Sequence, residues 1–186
     1  MPDTQRTMRS PVGDLVLTAS ETGLTGVYFP TSRHGPPPVG PHPLTPSPFG
    51  RGGTEVLDRV ESQLNEYFAG TRTTFDLPLE PVGTPFQLSV WTLLRKIPYG
   101  VTTSYGELAR RLGDPQKSRA VGAANGANPI PIIVPCHRVV GSKGELTGFG
   151  GGLELKRWLL EHEGALMPLG DVSGDREKDG RGSRGR

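Results

Sequence analysis

The sequence predicts an α+β fold, in which a small β-sheet with one helix (residues 1–83) precedes a mostly helical domain (residues 84–168) containing a helix-turn-helix. Three observations indicate this fold. Short apolar runs separated by turn residues occupy the first thirty positions, as in antiparallel strands. Helix start signals recur after residue 84. The length of 186 residues suits one ordinary domain, or a small domain joined to a smaller one.

The N-terminal domain is predicted from short apolar segments and one amphipathic stretch. Its strands are residues 15–17, 27–29 and 74–79. Residues 54–69 carry apolar side chains at helical spacing, with Thr54 as the cap and Gly70 as the stop. A sheet covered by a single helix is the simplest arrangement of these elements, and nothing in it indicates chemistry.

A proline-rich segment interrupts this domain. Residues 35–53 contain seven prolines, which exclude a helix or a central strand and predict a solvated, partly polyproline-like loop. His34 directly precedes this loop and His42 lies within it, so we interpret both as solvated side chains rather than metal ligands.

The second domain is predicted from its helix start signals. Each helix begins with a capping residue: Thr84 for a helix to about residue 96, Ser104 for one to about residue 112, and Asp114 for one to about residue 125. The first two caps have Gln87 and Glu107 three residues later, the pattern of a capping box. The second and third helices, joined by a tight turn at Gly113, predict a helix-turn-helix.

The second helix of this motif has almost no side-chain bulk. Its residues after Arg119 are Ala120, Val121, Gly122, Ala123, Ala124, Asn125 and Gly126. A helix that reads a major groove presents long polar side chains, which this one lacks. The smooth surface fits either a packed neighbouring helix or a narrow nucleic-acid groove, with Arg119 placed to enter the base stack.

The remaining elements are short. Residues 139–140 and 146–147 are predicted to pair as a hairpin, and a glycine-rich loop with one aromatic residue, Phe149, follows. Residues 153–163 form the last helix. Residues 169–186 are mostly charged residues and glycine, and we predict a disordered tail there.

Charge and composition restrict the class of protein. Residues 84–165 carry 10 Lys and Arg against 6 Asp and Glu, whereas residues 1–83 carry 6 against 9. This local excess points weakly to a polyanionic partner, although ordinary surface charge explains it equally well. The chain has no apolar run of membrane-spanning length and no leader segment, so we expect a soluble, cytoplasmic protein without a membrane partner.

The only cysteine, Cys136, organises the candidate site. An apolar segment rich in proline, residues 130–135, leads into it, and His137 and Arg138 follow directly. A lone cysteine is usually a small buried hydrophobe. Here two polar, potentially cationic neighbours indicate instead a field that favours the reactive thiolate. A single cysteine excludes an internal disulfide and multi-cysteine zinc sites, but not a metal site built from His and carboxylates.

His137 is the candidate base for this thiol. Adjacent side chains of an extended segment point to opposite faces, so direct contact between Cys136 and His137 requires a sharp turn, and a water-bridged relay is equally compatible with the sequence. Glu163, at the end of the last helix, is a candidate acceptor for the imidazole N–H.

These residues together resemble a known family, the O6-alkylguanine-DNA alkyltransferases. The resemblance is close over residues 84–165 and loose over residues 1–83. It is carried by Ser104, Tyr105, Arg119, Ala120, Val121, Gly122, Pro135, Cys136, His137, Arg138, Val139, Gly151, Gly152, Leu153 and Glu163. It implies an RNase H-like N-terminal sheet domain, a helix-turn-helix lying in the minor groove, and suicidal transfer of an alkyl group from DNA to Cys136. No cofactor is implied.

The same resemblance assigns roles to individual residues. The catalytic set is Cys136, His137, Glu163, Asn128, which braces the cysteine loop, and Tyr105, which donates a hydrogen bond to the flipped base. The DNA-binding set is Arg119, Tyr105, Ser104, Ala120, Gly122, Ala123 and Ala124, with Arg119 filling the space that the base vacates. The substrate pocket is Val139, Phe149, Gly150 and Pro131. Gly150 and Phe149 depart from the family, where serine and tyrosine are common.

Two other functions compete with this interpretation. A cysteine hydrolase would turn over repeatedly on an ester or peptide, but no oxyanion-loop signature accompanies Cys136. A non-catalytic helix-turn-helix protein or alkylated-DNA sensor has no need of the thiol, which this chain retains. The expected partner is alkylated double-stranded DNA, bound by a monomer; cooperativity, O4-alkylthymine as a substrate and a metal in the N-terminal domain stay open.

Overall fold

The computed structural model describes residues 4–31, 35 and 51–167. Its strands are β1 (Thr4–Met8), β2 (Leu15–Ala19), β3 (Leu24–Tyr28), β4 (Thr103–Ser104) and β5 (Val139–Val140). Its helices are α1 (Arg51–Phe68), α2 (Pro85–Leu94), α3 (Tyr105–Arg111), α4 (Ser118–Gly126) and α5 (Leu153–His162). Two 3₁₀ turns, Pro115–Lys117 and Cys136–Arg138, precede α4 and β5. The predicted α+β fold class is confirmed.

The N-terminal sheet is an antiparallel meander in the order β1-β2-β3. The inner face of β2 and β3 is fully apolar, and it packs against the buried stripe of α1 that Leu57, Val60 and Leu64 form. Burial of each such side chain contributes roughly 1.5–3 kcal/mol. This packing turns the C-terminal end of α1 toward the second half of the chain.

Helix α1 begins at Arg51, earlier than the predicted start at Thr54. Its first turn includes Gly52 and Gly53, which lie against the β2–β3 turn: a Cβ on Gly52 would collide with the Glu21 carbonyl, and one on Gly53 would come within 3.0 Å of the Ser20 carbonyl. Tertiary packing therefore outweighs the low helix propensity of glycine. Residues 32–34 and 36–50 lie outside the described residues. They include His34, His42 and most of the proline-rich segment. The predicted tail also lies outside the described residues.

The predicted strand at residues 74–79 is wrong, because only a single bridge forms there. Leu79 lies parallel to Leu24, with hydrogen bonds from Leu24 N to Pro78 O (2.9 Å) and from Glu80 N to Leu24 O (2.8 Å). Pro78 has no N–H with which to extend the ladder.

The predicted caps Thr84, Ser104 and Asp114 are present, whereas Thr54 lies inside α1 and does not cap it. Thr84 Oγ1 accepts from Gln87 N at 3.3 Å and Gln87 Oε1 accepts from Thr84 N at 2.8 Å, a complete capping box. Ser104 caps α3 through Glu107 N. The Glu107 carboxylate pairs with Arg110 and Arg111 instead of the Ser104 backbone, so the second predicted capping box is only half formed. Asp114 caps a 3₁₀ turn rather than a continuous helix, so the predicted third helix is divided at Ser118.

The predicted hairpin between residues 139–140 and 146–147 is also wrong. Strand β5 pairs in parallel with β4, matching Thr103 with Val139 and Ser104 with Val140. The carbonyl of Thr147 accepts instead from the Lys156 ammonium and the Tyr105 hydroxyl. The start of the helix-turn-helix is thereby tied to the strand that follows the cysteine.

The two halves share one buried apolar cluster. Backbone and side chains cross between them: Val27 N donates to Pro129 O at 2.9 Å, and Thr31 Oγ1 donates to Gly151 O at 3.0 Å. In the described part of the chain, no helix combines the length and apolar content needed to cross a membrane.

Candidate active site

A rigid buried loop presents the cysteine. Asn128 spans its ends, since Nδ2 donates to Val134 O at 2.8 Å and Oδ1 accepts from Ile130 N at 3.1 Å. Ile132 lies at φ 72°, a left-handed conformation that costs a β-branched residue on the order of 1–3 kcal/mol. Residues 130–140 are buried throughout. The loop therefore holds an unfavourable backbone conformation because its surroundings fix it.

The cysteine lies at the wall of a cleft of about 760 Å³, within the range of small-ligand pockets. Among the predicted site residues, Cys136, Asn128, Pro131, Phe149 and Gly150 border it, together with Gly122 and Ala123 of α4. Tyr105 and Val139 are not part of this wall. Two residues of β3, Val27 and Tyr28, and the residue that follows the strand, Phe29, also line the cleft. The ring centroids of Phe29 and Phe149 are 5.9 Å apart.

The contribution of β3 was not anticipated, because its residues read only as a strand. A smaller cavity of about 190 Å³ borders Pro135 and Arg138 on another side of the motif and does not reach the thiol. The larger cleft, which contains Cys136, is therefore the candidate reaction site.

Burial determines the resting state of the thiol. It raises the pKa of Cys136 to about 11, although the Asn128 side chain, the Lys156 charge and the backbone N–H groups of Cys136 and His137 act in the opposite direction. The prediction that the neighbouring cations favour thiolate is thus wrong for the resting protein. The sequence showed the positive groups but not the depth of burial, and Arg138 is directed away from the sulfur.

The imidazole of His137 is held by Glu163. Nε2 lies 2.8 Å from Glu163 Oε1, with both side chains fully buried. Burial lowers the pKa of His137, so the ring is neutral. Hydrogen bonds from His137 and Arg138, together with the Arg138 charge, outweigh burial and lower the pKa of Glu163 to about 2.

This pairing fixes the tautomer of the ring. An ionised carboxylate only accepts, so Nε2 carries the hydrogen and Nδ1 keeps its lone pair. Nδ1 is buried and has no hydrogen-bond partner among the residues described here. The 3₁₀ turn at Cys136–Arg138 supplies the sharp bend that an extended segment would lack. The site thus contains a neutral imidazole whose free nitrogen is able to accept a proton.

The Glu163 carboxylate receives further donors that sequence reasoning did not identify. Arg138 donates Nε to Oε2 at 2.8 Å and Nη2 to Oε1 at 2.9 Å, and its Nη1 donates to Ile97 O at 2.6 Å. The Tyr67 hydroxyl donates to Oε1 at 2.8 Å, and Gly100 N donates to Oε2 at 3.3 Å. Arg138 is therefore the partner of Glu163 rather than of the thiol.

Lys156 is a second unanticipated residue. It is fully buried, and its ammonium donates to Val139 O at 2.6 Å and Thr147 O at 2.5 Å. Burial lowers its pKa to about 8, and the negative charge of a Cys136 thiolate acts in the opposite direction. The Lys156 Nζ also lies 5.9 Å from the centre of the Tyr105 ring. On an amphipathic helix a lysine is normally exposed, so the sequence contains no signal for this position.

Tyr105 lies beside the loop that closes the cleft. Its hydroxyl donates to Thr147 O at 3.1 Å, with Gly148 O at 3.4 Å, and burial raises its pKa. The hydroxyl therefore stays protonated at neutral pH, and in the resting protein its hydrogen is held by the Thr147 carbonyl.

Helix α4 exposes most of the predicted DNA-binding residues. Arg119, Ala120 and Ala123 are exposed and Gly122 is half-buried. Ala124 is a correction: it is 3% exposed, and its carbonyl accepts from Trp91 Nε1 at 2.8 Å, so its side chain faces the core. The next residue, Asn125, is buried and donates to Cys136 O at 3.3 Å, which links α4 to the cysteine turn.

No group of three or more His, Cys, Asp or Glu side chains suited to a metal ion occurs within residues 4–31, 35 and 51–167. The site chemistry in this region rests on the thiol and the imidazole–carboxylate pair.

Family models match both halves of the chain. The model described as "6-O-methylguanine DNA methyltransferase, DNA binding domain" matches residues 85–165. The model described as "6-O-methylguanine DNA methyltransferase, ribonuclease-like domain" matches residues 4–81.

Individual proteins agree with the models. The methylated-DNA–protein-cysteine methyltransferase of Mycobacterium bovis is 47% identical over 169 residues, covering 88% of this chain and 93% of that protein. The protein of that name from Methanosarcina acetivorans is 45% identical, covering 84% and 95%. The crystal structure of Mycobacterium tuberculosis OGT in complex with DNA superposes with a TM-score of 0.73 at 46% identity, covering 87% of this chain and 92% of that one. The chain belongs to the 6-O-methylguanine DNA methyltransferase family.

Proposed function

We propose that this protein repairs DNA by transferring the alkyl group of an O6-alkylguanine directly to the sulfur of Cys136. The observation that carries the proposal is the position of the thiol: it lies at the wall of a cleft able to hold a base, and a buried, neutral imidazole paired with a carboxylate follows it in the same turn. The family to which the chain belongs has this activity.

Proton removal accompanies the attack. With a pKa of about 11, only about one Cys136 in ten thousand is thiolate at pH 7. We infer that the thiol proton passes through a water molecule to Nδ1 of His137, and that Glu163 stabilises the imidazolium that forms. The sulfur then forms a bond to the alkyl carbon, the bond from that carbon to O6 breaks, and its electron pair remains on the guanine.

DNA is approached through α4. A base inside a duplex is out of reach of a buried thiol, so the damaged guanine must be extruded, which costs a few kcal/mol of stacking. The smooth face formed by Ala120, Gly122 and Ala123 permits close approach to a narrow groove, and Arg119 at its start fills the vacated space. Tyr105 donates a hydrogen bond to the base as the leaving oxygen gains charge, and Ser104 contacts the DNA at the start of α3.

The pocket side chains orient the base. The backbone of Cys136 and Val139 is proposed to read the guanine edge, while Pro131, Phe149 and Gly150 bound the alkyl group and O6. Because Gly150 has no side chain, its contribution to the oxygen is a backbone N–H.

The product limits each molecule to one reaction. A thioether has no carbonyl for water to attack, so the alkyl group stays on Cys136. The thiol, its base and the cleft all belong to one chain, so we infer that a monomer suffices. We further infer a cytoplasmic location, which suits a free, reduced cysteine that acts on chromosomal DNA.

The test is intact-mass measurement after incubation with excess duplex containing one O6-methylguanine, followed by peptide mapping. We expect about 14 Da, by formula, on the peptide containing Cys136, with a yield that stops at one per protein. The matched controls are Cys136→Ser, which should bind the duplex without gaining mass, and an undamaged duplex of the same sequence.

Other outcomes discriminate the alternatives. An unmodified protein that still binds the damaged duplex would be a sensor. An unmodified protein that binds no DNA but hydrolyses a thiol-reactive ester repeatedly would be a hydrolase. Modification of Cys136→Ser at the wild-type rate would overturn the assignment of the nucleophile.

A further inference from the structure

Tyr67 joins the N-terminal half of the chain to the proton-accepting pair. It lies in the last turns of α1, is fully buried, and reaches across 96 residues of sequence to donate its hydroxyl to Glu163 Oε1 at 2.8 Å. The same oxygen accepts from His137 Nε2 at 2.8 Å. Arg138 Nη2 also donates to this oxygen, at 2.9 Å, so Tyr67, Arg138 and His137 compete for its electron density.

Neighbouring residues contact both the backbone and the ring of Tyr67. Its backbone carbonyl contacts His162 Nε2 at 2.8 Å, and its ring packs against those of Phe68, Phe75, Tyr99 and His162 at centroid distances of 5.4, 5.6, 6.1 and 5.1 Å. A phenylalanine at this position would make the same ring contacts. The hydroxyl is thus the part of the side chain that needs an explanation.

A donor on a carboxylate stabilises its charge and weakens its attraction for other protons. Glu163 faces Tyr67 on α1, Tyr99, and His137 and Arg138 on the cysteine turn. His137 faces Glu163, Arg138 and, from α5, Lys156. Burial and the Glu163 charge raise the pKa of Tyr67 far above its ordinary range, so its hydroxyl donates at every accessible pH.

We propose that Tyr67 is a positioning residue, through which the N-terminal domain sets the orientation and the basicity of the His137–Glu163 pair. By sharing Oε1, the Tyr67 hydroxyl limits how strongly Glu163 draws the imidazole N–H and thereby how readily Nδ1 accepts a proton. The N-terminal half thus acts on the chemistry as well as forming one wall of the cleft. The inference rests on the proposed function only for its effect on rate.

The test is Tyr67→Phe, with Tyr99→Phe as the matched control. Tyr99 belongs to the same aromatic group, but its hydroxyl donates to the backbone carbonyl of His162 at 3.2 Å instead of to the carboxylate. The titration of His137 is followed by NMR in the free protein, and the single-turnover rate of methyl transfer is followed between pH 5 and 9.

In Tyr67→Phe, Glu163 becomes a stronger acceptor, so we expect the His137 titration and the acidic limb of the rate profile to move to higher pH by about half a unit or more. Replacing Tyr67 site-specifically with 3-fluorotyrosine strengthens the donor and should move both to lower pH. Tyr99→Phe should leave both unchanged. Opposite shifts of the two Tyr67 variants are not expected from a change in packing alone.

Unchanged titration of His137 in both Tyr67 variants would reduce Tyr67 to a packing residue. If Tyr67→Phe fails to fold, the fluorotyrosine protein decides alone. The NMR titration needs no DNA, so it stays interpretable even if the protein transfers no methyl group.

Discussion

At the scale of single residues, the site combines a Cys136 thiol that is a poor nucleophile at rest with a His137 imidazole that is able to accept its proton. A thiol pKa of about 11 places the thiolate at pH 7 roughly 5 kcal/mol above the thiol. The buried pair behind it is already in the tautomer that can take a proton. Such a site protects the only cysteine from chance electrophiles and makes it reactive only when proton removal and attack occur together, which suits a protein that can react once.

Lys156 is the residue whose charge most directly supports the sulfur. At pH 7 its ammonium is largely protonated, because its pKa is about 8, and it lowers the pKa of Cys136. We predict that Lys156→Met slows alkylation of Cys136 by iodoacetamide at pH 7 by about three- to tenfold, equivalent to about half to one pKa unit. Above about pH 9 the difference should vanish, since wild-type Lys156 is then neutral.

The matched control is Lys143→Met, whose exposed side chain lies on the turn after β5. It should react like the wild type at every pH. Equal rates for Lys156→Met and the wild type at pH 7 would show that Lys156 serves only to connect the carbonyls of Val139 and Thr147.

At the scale of elements, α4 is smoother than the fold requires. A Cβ added to Gly122 would meet the Tyr105 ring at 3.8 Å, an ordinary contact, and one added to Gly126 would meet nothing within 4 Å. Intramolecular packing therefore does not explain why bulk is missing from this face. Close approach of another surface does, and in the proposed function that surface is DNA.

We predict that Gly122→Ala separates folding from binding. Alanine is favoured over glycine inside a helix by roughly 0.5–1 kcal/mol, so the melting temperature should stay the same or rise. The added methyl group should weaken duplex binding about tenfold, measured by fluorescence anisotropy at fixed salt because affinity for DNA depends on salt.

Ser62→Ala on the exposed face of α1 is the control for a helix-favouring change away from α4. It should leave duplex affinity unaltered. If Gly122→Ala binds duplex as tightly as the wild type, the backbone of α4 does not lie at the DNA surface.

At the scale of the whole molecule, features that depend on neighbouring residues in the sequence could be predicted, whereas contacts between distant segments could not. Thr84, Ser104 and Asp114 were identified as caps because a cap depends on residues two or three positions away. The pairing of β5 with β4 instead of a hairpin depends on a segment some 36 positions earlier, and short apolar runs carry no such information.

The same limit applies to the site. Cys136 and His137 were identified by their motif, and Glu163 by its place at the end of the last helix and by the family resemblance. The structure brings these residues and Asn128 together. Tyr67 and Lys156 were missed because a tyrosine on an apolar stripe and a lysine on an amphipathic helix have ordinary explanations. The pKa of Cys136 was misjudged because charge can be counted in a sequence whereas burial cannot.

The buried network connects both halves, so it should govern acid stability. Glu163 has a pKa of about 2 in the folded protein, below its unfolded value, so its contribution is complete above about pH 4.5 and is lost as the pH falls toward 2. The depressed pKa of His137 acts in the same direction, since below about pH 6.5 the unfolded chain takes up a proton that the folded chain does not.

We therefore predict that the free energy of unfolding, measured by urea denaturation, begins to fall below about pH 6.5 and falls more steeply below 4.5, with Glu163 accounting for about 3 kcal/mol of the total. Glu163→Gln should be less stable at pH 7.5, because Arg138 then lacks its buried partner, but should show a shallower decline below pH 4.5. Glu154→Gln, an exposed carboxylate on α5, is the control and should follow the wild-type curve. A Glu163→Gln curve parallel to that of the wild type would mean that other carboxylates control acid unfolding, and that the network joining Tyr67, His137 and Arg138 contributes to the site without determining the stability of the molecule.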